Sequence, residues 1–134
     1  MRRQFDLPEE DVEHLGARGL PWETLVEQEV RWLILHDFPL PAGYSHSKVQ
    51  VALRIEPSYP DGQIDMVYFF PALARSDGRG IGALSQQAID GAQFQRWSRH
   101  RTPANPWRPG EDNLATHLVL VEEWLRREFG QGAA

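Results

Sequence analysis

The sequence predicts an α+β domain, and three observations predict it. Val49, Val51, Leu53 and Ile55 recur at every second position and so share one strand face. β-rich runs precede and follow that strand with only short connections between them. Near the other end, Leu114, Leu118, Val121 and Leu125 recur at helical spacing. The chain of 134 residues is 41% hydrophobic and 25% charged, an ordinary globular balance. It reads as one domain over 1–134, with a core of about 6–129 and a flexible tail at 130–134. A chain of that size buries roughly two-thirds of its unfolded surface and needs no staples.

Taken in order, Asp6-Leu7-Pro8-Glu9 predicts a helix start, with Asp6 as cap and Glu9 in the capping-box position. Val12 and Leu15 give that short helix its apolar stripe, and Gly16 and Gly19 supply its termination. Trp22–Gln28 and Val30–His36 are β-branched and aromatic, and read as a hairpin. After Asp37–Ser47 comes the alternating strand 49–55, then a turn at Pro57–Gly62 and a fourth strand, Met66–Phe70, closed by Pro71. These four strands form an antiparallel meander. The stretch 72–111 is glycine- and proline-rich without sustained periodicity, and is expected to cross the molecule as a long irregular loop, a length that usually marks function. Asp77-Gly78-Arg79-Gly80-Ile81-Gly82 has glycines but no following lysine, so it reads as a surface loop and not a phosphate cradle. Asp112 then caps a strong helix that runs through Phe129 and stops at Gly130.

Composition excludes several chemistries. There are no cysteines, hence no disulfide, thiolate ligand or thioester. The formal charge of −5 argues against general nucleic-acid affinity. The longest apolar runs, such as Trp32–Leu35, fall far short of the ~20 residues that span a bilayer. Met1-Arg2-Arg3 leads into acids and proline, not an apolar segment, so a cytoplasmic location is expected. His14, His36, His46, His100 and His117 lack ligand spacing, and no metal or cofactor is expected. His117, on the stripe of the last helix, reads as a satisfied, partly buried side chain. Trp32 and Trp124 read as core, Trp97 and Trp107 as walls of a pocket, and Trp22 as either. Thirteen arginines stand against one lysine, Lys48.

One concentration stands out in this acidic chain: Arg96, Arg99, Arg101 and Arg108, with His100 among them and Trp97 and Trp107 flanking. Arginine forks and tryptophan anchors suit a protein surface rich in carboxylates. The same arginines could equally brace the loop against Asp90, Glu111 and Asp112. Ser98 and His100, two residues apart on extended chain, would share a side, as an activated hydroxyl needs. The plainer reading has Ser98 bonding local backbone and His100 anchoring the loop.

The element order, with Leu53-Arg54-Ile55-Glu56-Pro57-Ser58-Tyr59-Pro60 leading into Ile64–Phe69, resembles the strand, Tyr-Pro, strand passage of ubiquitin-conjugating (E2) proteins. Trp107-Arg108-Pro109-Gly110 resembles the segment that leads an E2 into the helix after its active-site loop. With Pro41–His46 and Arg96-Trp97-Ser98-Arg99-His100, the pattern is similar to prokaryotic E2 family E over about residues 6–129. The resemblance implies an E2-like fold in which Tyr59, Pro60 and Pro109 are motif residues. It also implies an association with ubiquitin-like or multiubiquitin proteins, an E1-like adenylating protein and a JAB-type metallopeptidase. An active E2 carries a cysteine and a His-Pro-Asn flap in the crossover, and neither is present. The expectation is a non-catalytic variant that binds a ubiquitin-like partner through the crossover loop around Trp97–Trp107. The alternatives are a conjugating enzyme using Ser98 with His100, and a scaffold binding only the E1-like or peptidase subunit. Fold alone does not decide among them.

Overall fold

The computed structural model describes residues 1–130. In chain order these form α1 (Glu9–Arg18), β1 (Trp22–Glu27), β2 (Val30–Pro39), β3 (Lys48–Arg54), β4 (Val67–Phe70), β5 (Leu84–Ile89), β6 (Ala92–Trp97) and α2 (Leu114–Gly130). The architecture is α+β, with one antiparallel sheet in the order β1-β2-β3-β4-β6-β5. The expected four-strand meander is there, but the sheet has six strands. The segment expected to be irregular contains a hairpin, β5–β6, whose second strand pairs with β4. Asp90 and Gly91 turn it with φ of 51° and 77°, the left-handed pair that a tight hairpin needs. Strand β5 has little apolar alternation of its own because it is the sheet edge, and its pairing to β6 imposes its conformation.

Helix α1 starts differently from expectation. Pro8, not Asp6, precedes its first residue, and no side chain caps it. The extended backbone at Pro8 places its carbonyl to accept from the amides of Asp11 and Val12. Glu9, Glu10 and Asp11 supply negative charge to the first turn. The buried face is Asp11 and Leu15, while Val12 is 40% exposed. Gly19 ends the helix at φ 75°, donating to the carbonyl of Gly16. At the far end, Gly130 is the last residue of α2, and the remainder of the expected tail, 131–134, lies outside the described residues.

The sheet has two buried faces. On one, Val49, Val51, Leu53 and Ile55 pack with Leu118, Val121 and Leu125 of α2. On the other, Leu25, Trp32, Ile34, Ala52, Tyr68, Ile89 and Phe94 form a second cluster made entirely of strand residues. That face covers itself by curling. The amide of Asp90 donates to the Glu27 carboxylate at 3.0 Å, so the β5–β6 turn reaches β1. Arg2 clasps the two ends, pairing with Asp90 at 2.6 Å and Glu23 at 2.8 Å. Residues 2–4 lie along β1, where Thr24 exchanges backbone bonds with Arg2 and Gln4.

A buried carboxylate joins α1, the Tyr-Pro turn and α2. Asp11 accepts from the Tyr59 hydroxyl at 2.5 Å and from the Leu114 amide at 3.4 Å. Burial pushes its pKa above the ordinary carboxylate range, against the pull of those two donors. The Tyr59-Pro60 peptide bond is cis. Trp32 and Trp124 are core residues, and Trp22 is half-buried beneath the Arg3 guanidinium, 3.4 Å from its ring centre.

Candidate functional site

Strand β6 carries the basic-aromatic run out of the sheet. Pairing persists one residue beyond the strand, since the Ser98 amide donates to the Ala83 carbonyl at 3.0 Å. Side chains along such a segment alternate between faces. Arg96, Ser98 and His100 therefore fall on the curled, outer side, and Trp97, Arg99 and Arg101 on the side of α2. The contacts agree with this division.

The inward set is structural. Trp97 is fully buried, edge-on to Phe69 with ring centres 5.1 Å apart, and donates from Nε1 to the Gln95 amide oxygen at 2.9 Å. It is thus no pocket wall and no partner anchor, contrary to expectation: its position in the alternation points it into the core. Arg99 lies over the Trp97 ring at 4.9 Å and donates to the Gly82 carbonyl and the Glu128 carboxylate. The Arg101 side chain is 6% exposed, 5.0 Å from the centre of the Trp107 ring and 3.8 Å from Asp112. Both arginines, expected on a partner surface, instead brace the loop. Of the three acids expected as bracing partners, Asp112 serves, whereas Asp90 is taken by Arg2 at the other end of the sheet. Trp107 is half-buried, donates to the Pro60 carbonyl at 3.1 Å and lies 6.1 Å from the Tyr59 ring, so it ties the loop to the Tyr-Pro turn. Pro109 is exposed in the turn before α2.

The outward set is less engaged. Arg96 is half-buried and donates from Nε to the Ser85 hydroxyl at 2.7 Å, and among the described residues no carboxylate pairs with it. His100 is exposed, with Nδ1 3.0 Å from both carboxylate oxygens of Asp65. Ser98 is half-buried, and its side chain makes no hydrogen bond to His100 among the described residues. Arg108, also exposed, has its backbone amide bound to Asp112 and leaves its guanidinium to solvent. Asp65 carried no sequence signal, because a lone aspartate before a strand is indistinguishable from any turn acid.

His117 differs from the expected satisfied, partly buried residue. It is fully buried, and Nε2 donates to the Met66 carbonyl at 2.9 Å, which makes Nδ1 an acceptor without a partner. Burial lowers its pKa to about 4, so the ring is neutral. Among the described residues no group of three His, Cys, Asp or Glu side chains could hold a metal ion, and no helix is long and apolar enough to cross a membrane.

The sequence model of prokaryotic E2 family E matches residues 7–128. The chain belongs to this family. Prokaryotic E2 family E membership thus covers every described element from α1 through nearly all of α2, including the alternating run and the acids that meet it. No curated protein and no solved structure matches the chain. The matched region contains no cysteine. This member of prokaryotic E2 family E therefore has no thiol at which a thioester could form.

Proposed function

We propose that this protein is a non-catalytic member of a bacterial ubiquitin-like modification pathway. It binds a ubiquitin-like or multiubiquitin partner and presents it to an E1-like or JAB-type protein. The observation that carries this reading is family membership across residues 7–128 without one cysteine. The partner-facing side is the outward set, the half-buried Arg96 with the exposed His100 and Arg108, because guanidiniums free of internal carboxylates can take those of a partner. Trp97, Arg99 and Arg101 act from behind, holding that ridge in place.

A second reading is favoured by one contact. Asp65 on His100 supplies an orienting carboxylate for a base on the face that carries Ser98. In that reading Ser98 Oγ attacks an acyl-adenylate carbonyl, AMP leaves, and His100 takes the hydroxyl proton, giving an oxyester.

The test mixes the protein with its E1-like protein, ATP and the ubiquitin-like partner, with intact-mass spectrometry and calorimetry in parallel. Saturable binding without added mass is the expected result. A hydroxylamine-sensitive adduct that disappears in Ser98→Ala establishes the second reading. A folded protein that binds no ubiquitin-like partner overturns the first.

A further inference from the structure

The outer face of the sheet is filled at one end and hollow at the other. Leu25, Ile34, Ile89 and Phe94 close the end clasped by Arg2, while at the opposite end a cavity of about 270 Å³ opens among Arg54, Glu56, Asp65, Tyr68, Gln87 and Arg96. Four strands and the segment before β4 contribute to it. Met66 also lines it, and the buried Tyr68 is packed edge-on against Trp32 with ring centres 4.9 Å apart.

Its chemistry is specific. Arg96 is fixed through Nε by Ser85 and its guanidinium also meets the Tyr68 phenol, so the group is positioned at the cavity wall with its remaining N–H groups available to a ligand. Burial pushes that phenol's pKa up, keeping it a hydrogen-bond donor. Arg54 sits at the rim in a solvent-exposed pair with Glu56 at 3.0 Å, an interaction weak enough to yield. The two guanidiniums are matched in charge by Glu56 and Asp65. A dianionic phosphate would meet those two carboxylates. A monoanion with N–H groups beside its charge satisfies both signs. The volume lies just under the roughly 300–1,000 Å³ of drug-sized sites, so the ligand is small.

We propose that this cavity binds the carboxylate of a peptide C-terminus or of a free amino acid, with Arg96 as the fork. Adjacent ligand N–H groups face Glu56 and Asp65, and Gln63 and Gln87 match an amide. The inference shares Arg96 with the partner surface proposed above but is tested on the chain alone, where a small carboxylate binds or fails to bind with no ubiquitin-like protein present.

The experiment is a nitrogen-15 NMR titration of the whole chain with N-acetyl-Ala-Ala, its C-terminal amide, free alanine and inorganic phosphate. The free acid is expected to shift the Tyr68 and Gln87 amides and the Arg96 Nε–H saturably, and the amide to leave them in place. Arg96→Lys, which keeps the charge and loses the fork, should weaken binding at least about tenfold with an unchanged melting temperature. Tighter binding of the dipeptide assigns a peptide terminus, and tighter binding of alanine assigns a free amino acid; either supports the site. Equal response to acid and amide overturns it. So does displacement by equimolar phosphate, a folded Arg96→Lys that binds undiminished, or no saturable shift up to about 10 mM. Should Arg96→Lys fail to fold, the contrast between acid and amide on the unaltered chain decides.

Discussion

Arg96, Ser98 and His100 face one way from a short segment, and Trp97, Arg99 and Arg101 face the other. The two sets come from one continuous run and meet opposite surroundings. The inward tryptophan has no exposed surface, and the arginines beside it are spent on Glu128, a backbone carbonyl and Asp112. The outward arginine has no carboxylate among the described residues, and the outward histidine stands exposed beside Asp65. A local excess of charge and aromatic area therefore does not define a surface. A two-residue period sorts such an excess into a scaffold and a ridge.

The largest effect expected is on the inward side. Trp97→Ala should cost about 3–5 kcal/mol in urea unfolding, the range for a buried aromatic. A variant as stable as the parent would break the division. Next is the pH dependence set by His117. Its folded pKa of about 4 lies below the ordinary value of 6.5, so the unfolded chain takes up a proton that the folded one refuses. Stability is then complete above pH 6.5 and falls as pH drops towards 4, by about 3 kcal/mol in total. His117→Gln should flatten that part of a stability-against-pH curve. Tyr59→Phe removes one of the donors from the buried Asp11 carboxylate and should cost about 1–3 kcal/mol by the same unfolding assay. The smallest stability effect belongs to the outward side: Arg96→Ala, which gives up the bond to Ser85, should cost about 1 kcal/mol, and His100→Ala less than about 0.5 kcal/mol. The same pair should lower calorimetric affinity for the ubiquitin-like partner at least about tenfold. Unchanged affinity would move the contact elsewhere and leave the inward prediction standing.

Much of the fold was legible because long periodic segments carry their own signal. The strand over 49–55 and the helix to Phe129 declared their buried faces through spacing alone. The β5–β6 hairpin was missed for a physical reason. Ser85-Gln86-Gln87-Ala88 is a polar edge whose conformation comes from its neighbour, although Asp90-Gly91 is a recognised turn signal that could have exposed it. For the site, the sequence locates the run 96–101 and its spacing puts Ser98 and His100 on one side, but which face is buried depends on the pairing of β6 with β4 and β5. Arg54, Tyr68 and Asp65 had no signal at all. They become neighbours of Arg96 only when β3, β4 and β6 stand side by side.

The clasp at Arg2 also bears on how the molecule opens. Its bond to Asp90 spans 88 positions, whereas the hairpins it closes are local. Contacts this remote are costly to form early in folding. They join an exposed guanidinium to an exposed carboxylate, so they are also among the least costly to release. Amide hydrogens of Thr24 and Asp90 should therefore exchange with solvent well ahead of those in β3. The sheet would breathe at its seam while its centre stays shut, giving water an intermittent route to Ile89 and Phe94 without global unfolding.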